Sequence, residues 1–332
     1  MRALLLPLLV LVASPAQAAK VNVVVTLSDY GWAARAVGGD AARVSVVCPP
    51  DQDAHFLAPR PSYARLVAEA DLFVATGLDL EVWAPVLLQK AANAKVMPGA
   101  AGYVRAAESV HLLDVPAVVD RSQGDVHAQG NPHLHTSPVN MRRVLRNIAA
   151  GLSRVDPARA TEYAARAKAA VADLDARVFG AELVRLVGGD TLAALAEKGR
   201  LHGFLAEKRY KDAPLTDRLG GWLGAGRTLR DAPLVTWHPN WTYLRHLLGL
   251  RLVGTVEPKP GVQPTPGHVR TLTAAARTSG AKRLLAASHF PAGRVREIAG
   301  RLGLEPSSVP FHTGDAGYPA LVDAWLAALL GR

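Results

Sequence analysis

The stretch A-R-A-T-E-Y-A-A-R-A-K-A-A-V-A-D-L-D-A-R-V-F, residues 158–179, contains neither glycine nor proline and follows directly on Asp156-Pro157. Alanine has the highest intrinsic helix propensity, and proline is well placed where a helix opens. Tyr163, Ala167, Val171 and Leu174 recur at helical spacing with charges between them. The reading is one stiff helix of about 20 residues joining two lobes, set against an ordinary packing helix. Residues 19–154 form a first lobe, 155–179 the connecting helix, and 232–332 a second lobe. Residues 180–231, with short helical turns punctuated by glycine, are an elaboration whose placement stays open.

On either side of the helix the pattern is strand and helix in alternation. V-N-V-V-V-T at 21–26, then 44–48 and 71–76, read as strands, with a helix at 32–37. The second lobe repeats the theme, with strands at 233–237, 252–256 and 283–287. Helices are expected at 241–248, 267–278 and 292–302, and a last one at 316–330 that begins after Tyr318-Pro319. Short apolar strands separated by helices predict an α/β fold with largely parallel sheets covered by helices on both faces.

The first 18 residues stand apart. Arg2, an apolar run at 4–12 and Ala16-Gln17-Ala18 make a secretory signal peptide cut after Ala18. The run is shorter than the roughly 20 residues that span a bilayer. The single cysteine, Cys48, neither follows the leader as a lipid acceptor nor allows an intrachain disulfide. A soluble periplasmic monomer with no stable membrane insertion is the expectation. The net charge of +10 is dispersed and lacks an aromatic-and-arginine strip, which argues against nucleic acid and for a modest attraction to anionic surfaces.

Four candidate metal ligands are spread through both lobes: His55, His133, His238 and Asp315. They are separated by 78, 105 and 77 residues, too far apart for a local zinc knuckle. They can converge only around a cleft between folded lobes. Three imidazoles and one carboxylate complete a tetrahedral zinc shell, and the nitrogen-rich set suits zinc better than manganese. The nearly equal spacings, 78 and 77, fit two similar lobes facing each other.

These residues lie in motifs that resemble the zinc-binding subgroup of the metal-binding solute-binding proteins serving ABC importers. His55 precedes Pro59-Arg60-Pro61, and His133 sits in G-D-V-H-A-Q-G-N-P-H-L-H. His238 lies in T-W-H-P-N-W-T-Y-L, E-P-K-P-G-V-Q-P-T-P follows at 257–266, and Asp315 precedes the final helix. The resemblance implies two Rossmann-like lobes joined by a rigid helix, Zn²⁺ in the interlobe cleft as cargo, and docking onto a zinc importer permease. It also implies that the protein is not an enzyme. The chain departs from the group in lacking a long histidine-rich loop, having only Asp125, His127, His133 and His135 there, and in lacking a cysteine pair in the second lobe.

The remaining histidines carry weaker readings. His127 and His135 are candidates for a transient entry site, against a surface histidine and a stand-in for a packed aromatic. His135 could instead hydrogen-bond beside the site, His312 could approach the metal, and His289 reads as a strand-end residue near the cleft. Gly38-Gly39-Asp40 and Gly188-Gly189-Asp190 are turns or helix ends, not phosphate loops. The rival readings are a secreted zinc-dependent hydrolase or an adhesive protein with structural zinc. Neither G-x-S-x-G nor H-E-x-x-H is present.

Overall fold

A computed structural model describes residues 19–117, 127–259 and 261–332. The expected leader and Asp125 lie outside the described residues. The first lobe is built on β1 (Val21–Val25), β2 (Ala42–Val46), β3 (Leu72–Ala75) and β4 (Tyr103–Arg105), all parallel, in the order β2-β1-β3-β4. Helices α1 (Ser28–Gly38), α2 (Pro61–Ala68) and α3 (Ala84–Ala91) supply the crossovers that parallel strands require. Val23, Val24 and Val25 are buried, as expected for a central strand covered on both faces.

Helix α4 (Pro138–Val155) leads into α5 (Ala160–Phe179), the long helix anticipated from its alanine-rich sequence. Tyr163, Ala167, Val171 and Leu174 form its buried stripe. Arg142 of α4 is buried and ion-paired with Asp175 of α5 at 2.6 Å and with Asp190 at 2.6 Å. Gly180 ends α5 at φ 86°, where a Cβ would lie 2.8 Å from the Gly220 Cα. Two chain segments cross there with no room for a side chain.

Residues 180–231 now have a place. They form α6 (Ala181–Val187), α7 (Gly189–Glu197), α8 (Leu201–Glu207), the short hairpin β5 (Arg209–Tyr210) and β6 (Ala213–Pro214), and α9 (Gly221–Ala225). Leu183, Leu192, Leu205 and Leu223 join the same apolar core as α4 and α5.

The second lobe contains β7 (Pro233–Thr236), α10 (Thr242–Leu248), β8 (Arg251–Thr255), α11 (Pro266–Ser279), β9 (Arg283–Ala287), α12 (Ala292–Leu302), β10 (Glu305–Val309) and α13 (Gly317–Leu330). Its parallel sheet runs β10-β9-β7-β8. Taken in each lobe's own strand order, both sheets read second, first, third, fourth. Alternation sorts the second sheet's side chains: Leu234 and Leu285 join the main core, while Val235 and Leu284 join a smaller core on the other face. Trp222 of α9 donates to Asp323 of α13 at 2.7 Å, tying the elaboration to the second lobe.

Two expectations need correction. Helix α13 starts at Gly317, so Tyr318-Pro319 lies inside its first turn, where proline's missing N–H costs no helical bond. Strands β4 and β10 were not anticipated. Both are edge strands, one of three residues and the other carrying Pro306, which an edge tolerates.

Candidate metal centre

In open parallel sheets the crevice beyond the carboxyl ends of the strands is where ligands collect. Here those ends from both sheets supply the polar residues in and around the cleft. Asp29 follows β1, Asp53 and His55 follow β2, His238 follows β7, Glu257 follows β8, His289 follows β9 and His312 follows β10. His133 enters from the segment ahead of α4.

Each of His55, His133 and His238 offers a ligand atom, and these atoms lie within 4.8 Å of one another. Ring centroids are 5.2 Å apart for His55–His133, 5.5 Å for His133–His238 and 5.9 Å for His55–His238. In all three, Nδ1 is tied to an oxygen acceptor. His55 donates to Asp53 Oδ1 at 2.7 Å, His133 to Asn131 Oδ1 at 2.9 Å and His238 to Glu257 Oε2 at 2.8 Å. A carboxylate or amide oxygen can only accept, so each ring carries a proton on Nδ1, and Nε2 is the nitrogen each can offer to a metal. Outer partners of this kind orient metal-binding histidines and raise their basicity.

The acceptors are themselves fixed. Glu257 also accepts from Trp237 Nε1 at 3.2 Å and from the Gly261 amide at 3.0 Å. Asn131 donates across the cleft to the Pro239 carbonyl at 2.8 Å, and its own carbonyl accepts from the Tyr243 hydroxyl at 2.7 Å. Burial, reinforced by His55 and His238, pushes the His133 pKa well below that of a free imidazole. Burial would raise the Asp53 carboxyl, but its hydrogen bond and charge interaction with His55 outweigh that and hold it below the usual carboxylate range. The centre therefore presents three imidazoles, each backed by a carboxylate or amide oxygen.

The chain is similar to known proteins in sequence and in fold. The family described as "Zinc-uptake complex component A periplasmic", ZnuA, matches residues 23–178. That match covers a little under half of the chain, and with the relatives it makes the chain similar to metal-binding solute-binding proteins. It is 29% identical over 161 residues to the metal ABC transporter substrate-binding lipoprotein ScbA of Streptococcus cristatus, covering 47% of this chain and 49% of that one. It is 25% identical over 161 residues to the zinc-binding lipoprotein AdcA of Streptococcus pneumoniae, covering 47% and 31%. Further relatives are named as manganese-binding and iron-binding proteins. The chain spans about half the length of the first curated relatives it matches. A crystal structure of ZnuA shares the fold over 94% of this chain and 99% of its own, with a TM-score of 0.68 at 18% identity.

The structure brings together three of the four residues expected as ligands. Asp315 is not with them. Leaving β10, the chain buries Phe311, His312 and Thr313, then emerges at Gly314 and exposes Asp315 in the turn before α13. There Asp315 lines an open cavity of about 350 Å³ together with Pro50, Asp51 and His312. His127 stands nearer the cleft histidines: its Nε2 is 3.3 Å from His55 Nε2.

His289 lies behind the cleft, its Nε2 3.9 Å from Asp53 Oδ2, and burial lowers its pKa to about 4. His135 and His312 belong to a separate buried group with Asp29. The acceptors Asp53 and Asn131 were missed by sequence reasoning. Their signal was an Asp or Asn two residues ahead of each cleft histidine, in D-A-H and N-P-H.

Proposed function

We propose that this protein captures a divalent metal ion, zinc in the first place, between its lobes and delivers it to the permease of an ABC importer in the periplasm. The observation that carries this reading is the set of three convergent imidazoles, each with Nδ1 held by its own acceptor. Such a nitrogen-rich, pre-oriented set favours zinc, whereas manganese prefers oxygen ligands. His55, His133 and His238 are the proposed ligands. His127 is the fourth candidate in place of Asp315, because two tetrahedral ligands at Zn–N distances of 2.0–2.1 Å sit about 3.3 Å apart. Among the described residues, no helix is long and apolar enough to cross a membrane. That is compatible with delivery by diffusion.

A hydrolase using the same three histidines is the competing reading, since catalytic zinc keeps an open position for water. It also needs a base facing that water. Glu257, the nearest candidate, is engaged by His238, Trp237 and Gly261 and stands behind a ligand. This favours binding over catalysis. Calorimetry of the apo protein with Zn²⁺ against a competing chelator tests the assignment. One tight ion per chain at the cleft is expected, lost in His238→Ala; unchanged tight binding in that variant would sink it.

A further inference from the structure

Beside the cleft lies a second group, Asp29, His135 and His312, each offering a ligand atom within 4.8 Å of the others. All three residues are buried. Asp29 sits in the first turn of α1, His312 just past β10, and His135 two residues beyond His133. Both lobes therefore contribute. The Phe311 ring separates this group from the cleft, packing edge-on against His133 at 5.8 Å and His135 at 4.7 Å between centroids.

The group is partly wired and partly not. Asp29 Oδ1 accepts from the Thr313 amide at 3.0 Å and the Thr313 hydroxyl at 2.7 Å, and Oδ2 accepts from His312 Nδ1 at 2.6 Å. Those bonds fix the carboxylate. His135 stacks on His312 at 4.7 Å, yet neither of its ring nitrogens has a hydrogen-bond partner although the residue is fully buried. The Phe311 backbone interacts with this ring without meeting hydrogen-bond geometry. Buried polar atoms in native proteins are nearly always paired, so an imidazole with two unpaired nitrogens facing a carboxylate and a second imidazole requires an explanation.

We propose that Asp29, His135 and His312 form a second, buried site for a divalent transition-metal ion. Two imidazoles and one carboxylate make a facial set that leaves coordination positions open, suited to zinc, iron, cobalt or nickel. The ion supplies the partner His135 lacks. His312 frees Nδ1 for it by carrying its proton on Nε2, the alternative neutral tautomer. Thr313 continues to hold the other carboxylate oxygen. On its outer side His312 lines the open cavity of about 350 Å³ that Asp51 and Asp315 also line. Asp315 is thus placed to attract cations toward this site and not to ligate in the cleft.

This site is independent of the role proposed for the cleft histidines, and one experiment separates them. The full chain, its His238→Ala form, and His135→Phe and Asp29→Asn forms are dialysed to equilibrium against Zn²⁺ and assayed for bound metal. The expected result is two ions in the wild type, and one each in His238→Ala, His135→Phe and Asp29→Asn. One ion retained by His238→Ala and lost in His135→Phe would support this site even if the cleft assignment failed. A wild type that binds one ion, lost in His238→Ala, overturns the second site, as does a second ion that survives both His135→Phe and Asp29→Asn. Should either variant fail to fold, anomalous scattering from Zn²⁺-soaked wild-type crystals decides, through a peak among Asp29, His135 and His312 or none there.

Discussion

The two groups on either side of Phe311 both contain buried histidines and hold them differently. In the cleft, every imidazole has one nitrogen committed to an acceptor and the other left facing its neighbours. Beyond Phe311, His312 is committed to Asp29 while neither ring nitrogen of His135 has a hydrogen-bond partner. Burial pushes the His135 pKa down to about 3, against the pull of Asp29. The Asp29 carboxyl, which burial alone would raise, is brought to about 2 by His135, His312 and Thr313. The difference is one of orientation: the cleft rings are held by hydrogen bonds, whereas His135 is not.

That contrast can be broken at graded points. The largest effect is expected from the cleft ligands. Truncating an outer partner of a bound metal costs about 10–100-fold in affinity, so His133→Ala or His238→Ala is expected to cost more than about 100-fold. Chelator competition reads this directly. Removing an acceptor while leaving its ligand, as in Glu257→Ala or Asp53→Ala, is expected to weaken Zn²⁺ by roughly 10–100-fold. No loss there would mean that the Nδ1 contacts do not orient the rings.

Acid sharpens the comparison next. His289 and His135 titrate at about 4 and about 3 when folded, below the unfolded value near 6.5. Between those limits the unfolded chain binds more protons. Apo stability therefore falls as pH drops from about 6.5 toward 4, by about 1.4 kcal/mol per pH unit for each such histidine. Urea midpoints of the apo protein across this range check the slope, and a flat profile would show that these rings are not held neutral. Zn²⁺ affinity is expected to decline in the same direction, since ligating imidazoles must be neutral. The smallest effect is assigned to Asp315→Ala: an exposed substitution within about 0.5 kcal/mol, roughly twofold, on cleft affinity.

Much of this was legible in the sequence because apolar strands and an uninterrupted alanine-rich helix are written in local pattern. The nearly equal spacings, 78 and 77 residues, fitted two similar lobes, although Asp315, which closes the second interval, stands outside the group. What escaped was decided by burial at a distance. F-H-T-G-D offers two polar candidates three residues apart, and only the inward packing of Phe311 and Thr313 shows that His312 turns in while Asp315 turns out. Strand β10, E-P-S-S-V, has too little apolar character to be seen without its neighbour β9. Arg142 reads as a surface charge on a helix, yet it is buried against Asp175. Truncating that partner is expected to cost about 3–5 kcal/mol of stability.

The central claim is that His55, His133 and His238 together hold the metal ion that the two lobes enclose. An anomalous-difference map from crystals of the zinc-loaded protein tests it most directly. The account predicts a peak bonded to one nitrogen of each of the three, at about 2.0–2.1 Å. A peak that misses any of these histidines, or that is bonded to Asp315 in place of one, would contradict it.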